Sequence, residues 1–389
     1  MRMTEKLYDR DAYDREFEAE VVSCEAIGEG KFKVVLDRTL FFPEEGGQTP
    51  DKGTINGLPV VDVQIKNEVI VHTLESEDDL PDLNPGSHVS GKIDWEHRYS
   101  NMQQHTGEHI FSGLVHSRFG YDNVGFHLSD SIVTMDYNGE ISPEDIERLE
   151  LEANRVISRQ IPVNASYPDK EKLDALEYRS KKELSGPIRI VDIPGVDTCA
   201  CCAPHLHNTG EVGLLKVLDV SSHKGGVRIS ILCGFRALAD YGSTREELKR
   251  VSHLTSAPLP ETAEAVSKLK NELEKTKYLL VHTKMQYLEC LINAALEKKE
   301  PPIIFTEETD SNIIREGVNK MTALCEGFCG IFAGDERSGY SFIVGSRDSD
   351  CSQLAGKMRT DFKAKCGGKR EMIQGHIDAK RHEIKRFFS

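Results

Sequence analysis

The 389-residue chain has no uninterrupted apolar run near the roughly 20 residues of a bilayer-spanning helix, which excludes a helical membrane span. The opening Met1-Arg2-Met3-Thr4-Glu5-Lys6, followed by Asp9, Arg10, Asp11, Asp14 and Arg15, lacks the apolar segment of a secretory signal. Cytoplasmic residence is therefore expected. Net positive charge is missing too: 49 Lys and Arg stand against 64 Asp and Glu, a balance of -15. A field of that sign repels polyanions and excludes indiscriminate binding to phosphate backbones. There is no low-complexity tract and no internal repeat.

What is present fits a globular chain, with 38% hydrophobic and 29% charged residues and a length that predicts two or three domains. Ten cysteines in a long chain of this kind read as free thiols or metal ligands rather than disulfides, and the clustering of Cys199, Cys201 and Cys202 favours ligands there. The acidity is uneven. From Ser352 to Ser389, ten Lys and Arg face four Asp and Glu, a local basic patch suited to nucleic acid.

Between Ala19 and about Lys92 the pattern is strand-like, alternating at Phe32, Val34 and Leu36 and at Val61, Val63 and Ile65. Turn signals at Gly28-Glu29-Gly30, Gly46-Gly47, Asn56-Gly57 and Asn84-Pro85-Gly86 make it a small β-barrel. From Glu96 to about Tyr241, helical stretches (Asn101 to Phe119, Pro143 to Arg159) mix with strands (Ile132 to Tyr137, Leu214 to Val220, Val227 to Leu232), predicting an α+β domain. Glu261 to about Lys299 keeps helical spacing at Val266, Leu269, Leu273, Leu280, Met285, Leu288, Ile292 and Leu296. Thr276 and Thr283 interrupt any heptad seam, so this helix reads as a joining or dimerising arm or as an RNA-facing one. After Pro301-Pro302, apolar runs at Ile303-Ile304-Phe305, Gly330-Ile331-Phe332 and Phe342-Ile343-Val344 predict a final α/β unit.

His105-Thr106-Gly107-Glu108-His109 places two imidazoles one helical turn apart on one face, able to converge on one ion. The segment Cys199-Ala200-Cys201-Cys202-Ala203-Pro204-His205-Leu206-His207 crowds thiols and imidazoles together. That sulfur and nitrogen mixture suits zinc. Spacing predicts a four-ligand site using His105, His109, one Cys and one His, and leaves Cys199, Cys201 and Cys202 open. Glu108 shares a helix face with His105 and is a candidate general base.

Cys201-Cys202-Ala203-Pro204-His205 followed by Thr209-Gly210-Glu211-Val212-Gly213 resembles the signature of alanyl-tRNA editing hydrolases of the AlaX type, Cys-Gly-Gly-Thr-His and then Thr-Gly-Glu-Ile-Gly. The glycine-rich stretch Phe41-Phe42-Pro43-Glu44-Glu45-Gly46-Gly47-Gln48 is similar to theirs as well. Cys366-Gly367-Gly368-Lys369-Arg370 to Gly375 looks like a thinned version of the segment closing the C-terminal domain of long AlaX proteins and alanyl-tRNA synthetases. The register of this resemblance selects Cys201 and His205 as the remaining zinc ligands; Cys202, standing where the family has glycine, is left as a competitor.

The resemblance implies hydrolysis of the ester joining serine, and in some members glycine, to tRNA(Ala), without ATP, in the service of translation fidelity. It implies that Thr39 reads the serine hydroxyl, that Gly46, Gly47 and Gln48 meet the substrate, and that Lys369 and Arg370 contact tRNA. The expected layout is α+β: a barrel over residues 1–92, a zinc-containing editing core over 93–243, a helical linker over 244–300 and a C-terminal α/β domain for tRNA binding or oligomerisation over 301–389. A homodimer through the linker or the last domain is expected. Two rivals share the local pattern. The His-x-x-Glu-His order also fits inverted zinc peptidases, which leaves Cys201, His205 and Gln48 unexplained. A zinc-stapled RNA-binding module would need no catalysis.

Overall fold

The computed structural model describes residues 3–76, 83–180, 186–298 and 300–389. Met1, Arg2 and Lys299, which enter the sequence reading above, lie outside these. The chain separates into two compact units, Met1–Glu247 and Leu248–Ser389, and passes from one to the other within the helix Gly234–Thr255. No helix among the described residues is long and apolar enough to cross a membrane.

In the first unit, strands Glu16–Gly28, Lys31–Leu36, Val69–Glu75, Leu58–Lys66, Gly53–Ile55 and His88–Ile93 pair in that order, and the last returns to the first to close a barrel. The alternation at Phe32, Val34 and Leu36 is the inward face, buried together with Val63, Ile70, Leu74, Phe41 and Phe42. Val61, expected on that face, is exposed, because a bulge between Val60 and Asp62 shifts the register and turns Val60 inward. Ala203 belongs to this same core, with Cys201 and Cys202 packed against it.

Beside the barrel, strands Leu215–His223, Gly226–Cys233, Val133–Tyr137 and Asn123–Leu128 form an antiparallel sheet in that order. The helices Trp95–Phe119 and Pro143–Ser158 share its apolar core through Ile110, Phe111, Leu149 and Val156. Trp95–Phe119 starts on Asp94, whose carboxylate accepts from His97 N–H at 3.2 Å, and stops at Gly120 in the left-handed region. It begins six residues before the predicted Asn101. A third small sheet, Asn164–Ser166, Ile190–Ile193 and Asp197–Ala200, was not foreseen, and it carries the head of the thiol-rich segment.

In the second unit, a helix of 35 residues runs Thr262–Leu296, starting after a short turn at Leu259–Glu261. Its apolar positions divide: Leu288 and Ile292 are buried, whereas Val266, Leu269, Leu273 and Leu280 are about half exposed. Strands Ile303–Thr306, Cys329–Asp335, Gly339–Gly345, Met372–Ile377 and Lys365–Gly368 form a mixed sheet in that order. Adjacent residues face opposite cores: Phe332 and Phe342 meet the helices Cys351–Phe362 and Arg381–Phe388, while Ile331 and Ile343 meet Ser311–Leu324.

Candidate metal centre

Every residue from Asn101 to Gly113 is buried, although the stretch contains Gln103, Gln104, His105, Thr106, Glu108, His109 and Ser112. Buried polar groups require partners, and these partners build the site. His105 and His109 project from one face of the helix; Cys201 and His205 approach from the thiol-rich segment. Their four ligand atoms all lie within 4.8 Å of one another. The Cys201 Sγ is 3.6 Å from His105 Nε2 and 3.3 Å from His205 Nε2.

Each imidazole has its other nitrogen engaged. His105 Nδ1–H donates to Gln48 Oε1 at 2.7 Å and His109 Nδ1–H donates to Asp197 Oδ2 at 2.9 Å, because both partners can only accept. His205 Nδ1 lies 3.1 Å from Thr106 Oγ1. With Nδ1 occupied, Nε2 is the donor left for an ion, the arrangement that orients metal-binding histidines. Asp197 is in turn gripped by Arg179, whose Nε and Nη2 donate at 2.7 and 2.9 Å. His109, Asp197 and Cys199 also converge, but the Arg179 fork occupies the carboxylate, which therefore supports His109.

The electrostatics agree with a metal-binding set. Burial opposes ionisation of Cys201, yet the imidazoles of His105 and His205 beside its Sγ prevail and hold its thiol well below the ordinary value. Burial pushes His205 down to about 3, toward the neutral imidazole. It also works against a charge on His109, but the bond to Asp197 and the neighbouring Cys201 raise that group to about 9, so an ion would compete with a proton there. Cys202 and Cys199 go the other way. Burial first, then the charges of Cys201 and Glu45, push the Cys202 thiol up, and burial does the same to Cys199. Cys202 turns instead to the glycine-rich loop, where a Cβ on Gly46 would sit 3.7 Å from its Sγ. One thiolate and three braced imidazoles fit a borderline-soft cation such as Zn2+.

The glycine-rich loop reaches this centre from the barrel. Leu128 N–H donates to Gly47 O at 2.7 Å and Thr49 N–H to Leu128 O at 3.3 Å, sewing the loop to the strand Asn123–Leu128. Gly47, at φ 88°, could carry no side chain, since a Cβ would lie 2.4 Å from Phe126 O. The Phe126 ring lies 4.8 Å from that of His105. Gln48 is 1% exposed; its Oε1 holds His105 and its Nε2 has no hydrogen-bond partner.

The other sequence-derived candidates fall in different places. Glu108 is buried, its Oε1 accepting from Ser112 Oγ and Asn123 Nδ2, each at 2.6 Å, and its Oε2 3.9 Å from His109 Nε2. Thr39 is wholly buried by the barrel: its Oγ1 accepts from Phe41 N–H at 3.1 Å and meets His72 Nε2 at 2.9 Å. His72 Nδ1 faces the Val34 carbonyl and must carry the proton, so Thr39 donates to Nε2. Lys369 and Arg370 are exposed in the second unit, in the turn joining Lys365–Gly368 to Met372–Ile377. Sequence reasoning missed Arg179, Asp197, Thr106, His72 and Arg189, whose Nη1 donates to the Cys201 and Ala203 carbonyls. Asp197 heads the thiol-rich segment and Thr106 separates the two histidines, so both were open to notice.

Comparison with known proteins finds relatives over most of the chain. Residues 10–97 match the family described as class II (A) tRNA synthetases, and residues 188–230 match the second additional domain of threonyl- and alanyl-tRNA synthetases. The alanyl-tRNA editing protein AlaX-L of Pyrococcus horikoshii is 34% identical over 289 residues, 71% of each chain. Alanyl-tRNA editing protein Aarsd1 of Mus musculus is 28% identical over 393 residues, 95% of this chain and 93% of that one. An alanine–tRNA ligase of Pyrococcus abyssi is 31% identical over 403 residues, covering 96% of this chain and 42% of the ligase. With similarity of this extent, the chain belongs to the family of alanyl-tRNA editing proteins.

Proposed function

We propose that this protein hydrolyses the ester of mischarged tRNA(Ala), chiefly Ser-tRNA(Ala), at a zinc centre held by His105, His109, Cys201 and His205. The observation that carries the reading is the joint between the glycine-rich loop and the metal cluster: Gln48 braces His105 through Oε1 and keeps a buried, unpartnered Nε2 beside it. An ester carbonyl is the acceptor such an amide lacks. Bound by the four donors, Zn2+ supplies Lewis acidity toward carbonyl or water. Glu108, with Oε1 pinned by Ser112 and Asn123, accepts the proton that water loses as its oxygen bonds to the carbonyl carbon. The ester C–O bond then breaks and the terminal ribose hydroxyl recovers a proton.

Selectivity is assigned to Thr39. Its hydrogen is committed to His72 and one lone pair to Phe41 N–H, so it can only accept one further bond. A serine hydroxyl can donate there; the alanine methyl and the glycine hydrogen cannot. That asymmetry supports sparing of alanine, for which a second sieve is needed because alanine pockets reject serine and glycine weakly. Lys369, Arg370 and the surrounding basic tail are assigned to tRNA phosphates.

The test is deacylation of Ser-, Gly- and Ala-tRNA(Ala) by the wild type, the zinc-stripped protein and Gln48→Ala. Ser-tRNA(Ala) should be hydrolysed fastest, and stripping or substitution should lower the rate at least 10-fold. A wild type that does not prefer Ser- over Ala-tRNA(Ala) refutes the proposal.

A further inference from the structure

Six buried side-chain polar atoms among the described residues have no hydrogen-bond partner, and three of them fall within five consecutive residues: Glu45 Oε2, Gln48 Nε2 and Thr49 Oγ1. Folded proteins leave few such groups, and a concentration of them beside a reactive centre marks a place built for a guest. Gln48 Nε2 is a donor and suits the ester carbonyl. Glu45 Oε2 is an acceptor that the reaction proposed above does not use; the same carboxylate is engaged by the Cys202 thiol and lies within the field of Lys6, and its Oε2 is left without a hydrogen bond.

Glu45 and Gln48 are partners across the loop. They form an antiparallel bridge, with Gln48 N–H donating to Glu45 O at 3.1 Å. Residues directly opposite in such a pair carry their side chains on the same side. Gln48 Oε1 is anchored on His105, so that side is the one facing the metal cluster. Cys202, next in sequence to the ligand Cys201, approaches Gly46 from there too. A nearby cation, Lys6, is engaged with Glu68 at 2.9 Å. One loop thus presents a neutral donor and an anionic acceptor together. An aminoacyl ester presents the complement, a carbonyl oxygen and, on the adjoining carbon, an α-ammonium.

We infer that Glu45 binds the α-ammonium of the aminoacyl ester, making the site selective for esters with a free amino group over N-blocked or uncharged ones. This rests on the reading that ester hydrolysis occurs at this centre. An ammonium held by the half-buried Glu45 carboxylate is fixed relative to the carbonyl that Gln48 addresses, so the two contacts set the depth and the face of the ester presented to the cluster.

The experiment compares kcat/KM, corrected for spontaneous hydrolysis, on Ser-tRNA(Ala), on N-acetyl-Ser-tRNA(Ala) and on the analogue whose α-amino group is a hydroxyl. Wild type and Glu45→Gln are assayed after zinc content and circular dichroism establish that both are folded and loaded. The wild type should favour the free amine over the hydroxyl analogue by about 10- to 100-fold. Glu45→Gln should lose about that factor on the amine while changing the hydroxyl analogue by less than about 3-fold. Equal losses on both substrates, or no loss on the amine, overturn the assignment. Should Glu45→Gln fail to fold, the wild type alone decides: equal corrected rates on amine and hydroxyl overturn it. A wild type inactive on every ester would instead remove the underlying reading, an outcome distinct from active enzyme blind to the amino group.

Discussion

Replacing Asp197 by asparagine changes almost no volume and removes one charge, so it isolates what the carboxylate does for His109. Asp197 accepts three hydrogen bonds, from His109 Nδ1–H and from Arg179 Nη2 and Nε. An amide offers one acceptor and one NH2. Whichever way it is turned, that NH2 confronts an N–H of His109 or Arg179. The guanidinium meanwhile keeps its charge without its hydrogen-bonded counter-charge, where the two side chains are only 11% and 2% exposed. Breaking a buried pair from one side costs about 3–5 kcal/mol, and the slight exposure of Arg179 favours the lower end. Urea unfolding of metal-free protein should therefore show a loss of about 3 kcal/mol. Because His109 loses the charged acceptor that sets its tautomer and keeps at best an amide oxygen, chelator competition should show metal affinity lowered about 10- to 100-fold. Adding Arg179→Gln should restore part of the stability and part of the affinity, since it removes the stranded charge and supplies an acceptor for the introduced NH2, which leaves the amide oxygen to His109. Unchanged stability together with unchanged affinity in Asp197→Asn would refute the reasoning.

Other consequences are equally open to measurement. Burial pushes His72 down to about 4, against the usual 6.5; between those values the unfolded chain takes up a proton that the folded chain refuses, so stability falls as pH falls through this window. The amplitude is about 3 kcal/mol, read as the change in the stability difference between wild type and His72→Gln from pH 7 to pH 4; parallel curves would sink it. Thr39→Val keeps the shape but strands His72 Nε2 and Phe41 N–H, so it should cost about 1–3 kcal/mol and lower the Ser-to-Ala deacylation ratio about 10-fold or more. An unchanged ratio would remove Thr39 from selectivity. Changing Lys369 and Arg370 together to glutamine should weaken tRNA binding and reduce the slope of log affinity against log salt by about 2, whereas an identical slope would make this turn ordinary solvated surface.

Much of the frame was legible because it rests on local periodicity. Alternation at Phe32, Val34 and Leu36 is the inner wall of the barrel, and the one-turn spacing of His105 and His109 does put them on one face. The bracing of the site was not legible, for two physical reasons. Its bonds are long-range: 57 residues separate Gln48 from His105 and 88 separate His109 from Asp197. Spacing along the chain carries no trace of such closures. The second reason is that Trp95–Phe119 is buried all round over Asn101–Gly113 while rich in Gln, Thr, Glu and Ser. Judged by side-chain hydropathy this looks like a helix with a solvated face. It is buried because Ser112, Asn123 and Tyr137 converge beneath Glu108 while Gln48, Thr106 and Asp197 lie behind the three imidazoles. In water those groups would cost nothing; inside, each is tolerable only because the next is present. The same interdependence explains why the unpartnered atoms on the glycine-rich loop stand out: Glu45 Oε2 and Gln48 Nε2 are open positions at the edge of that network, and the proposed substrate is what would complete their pairing.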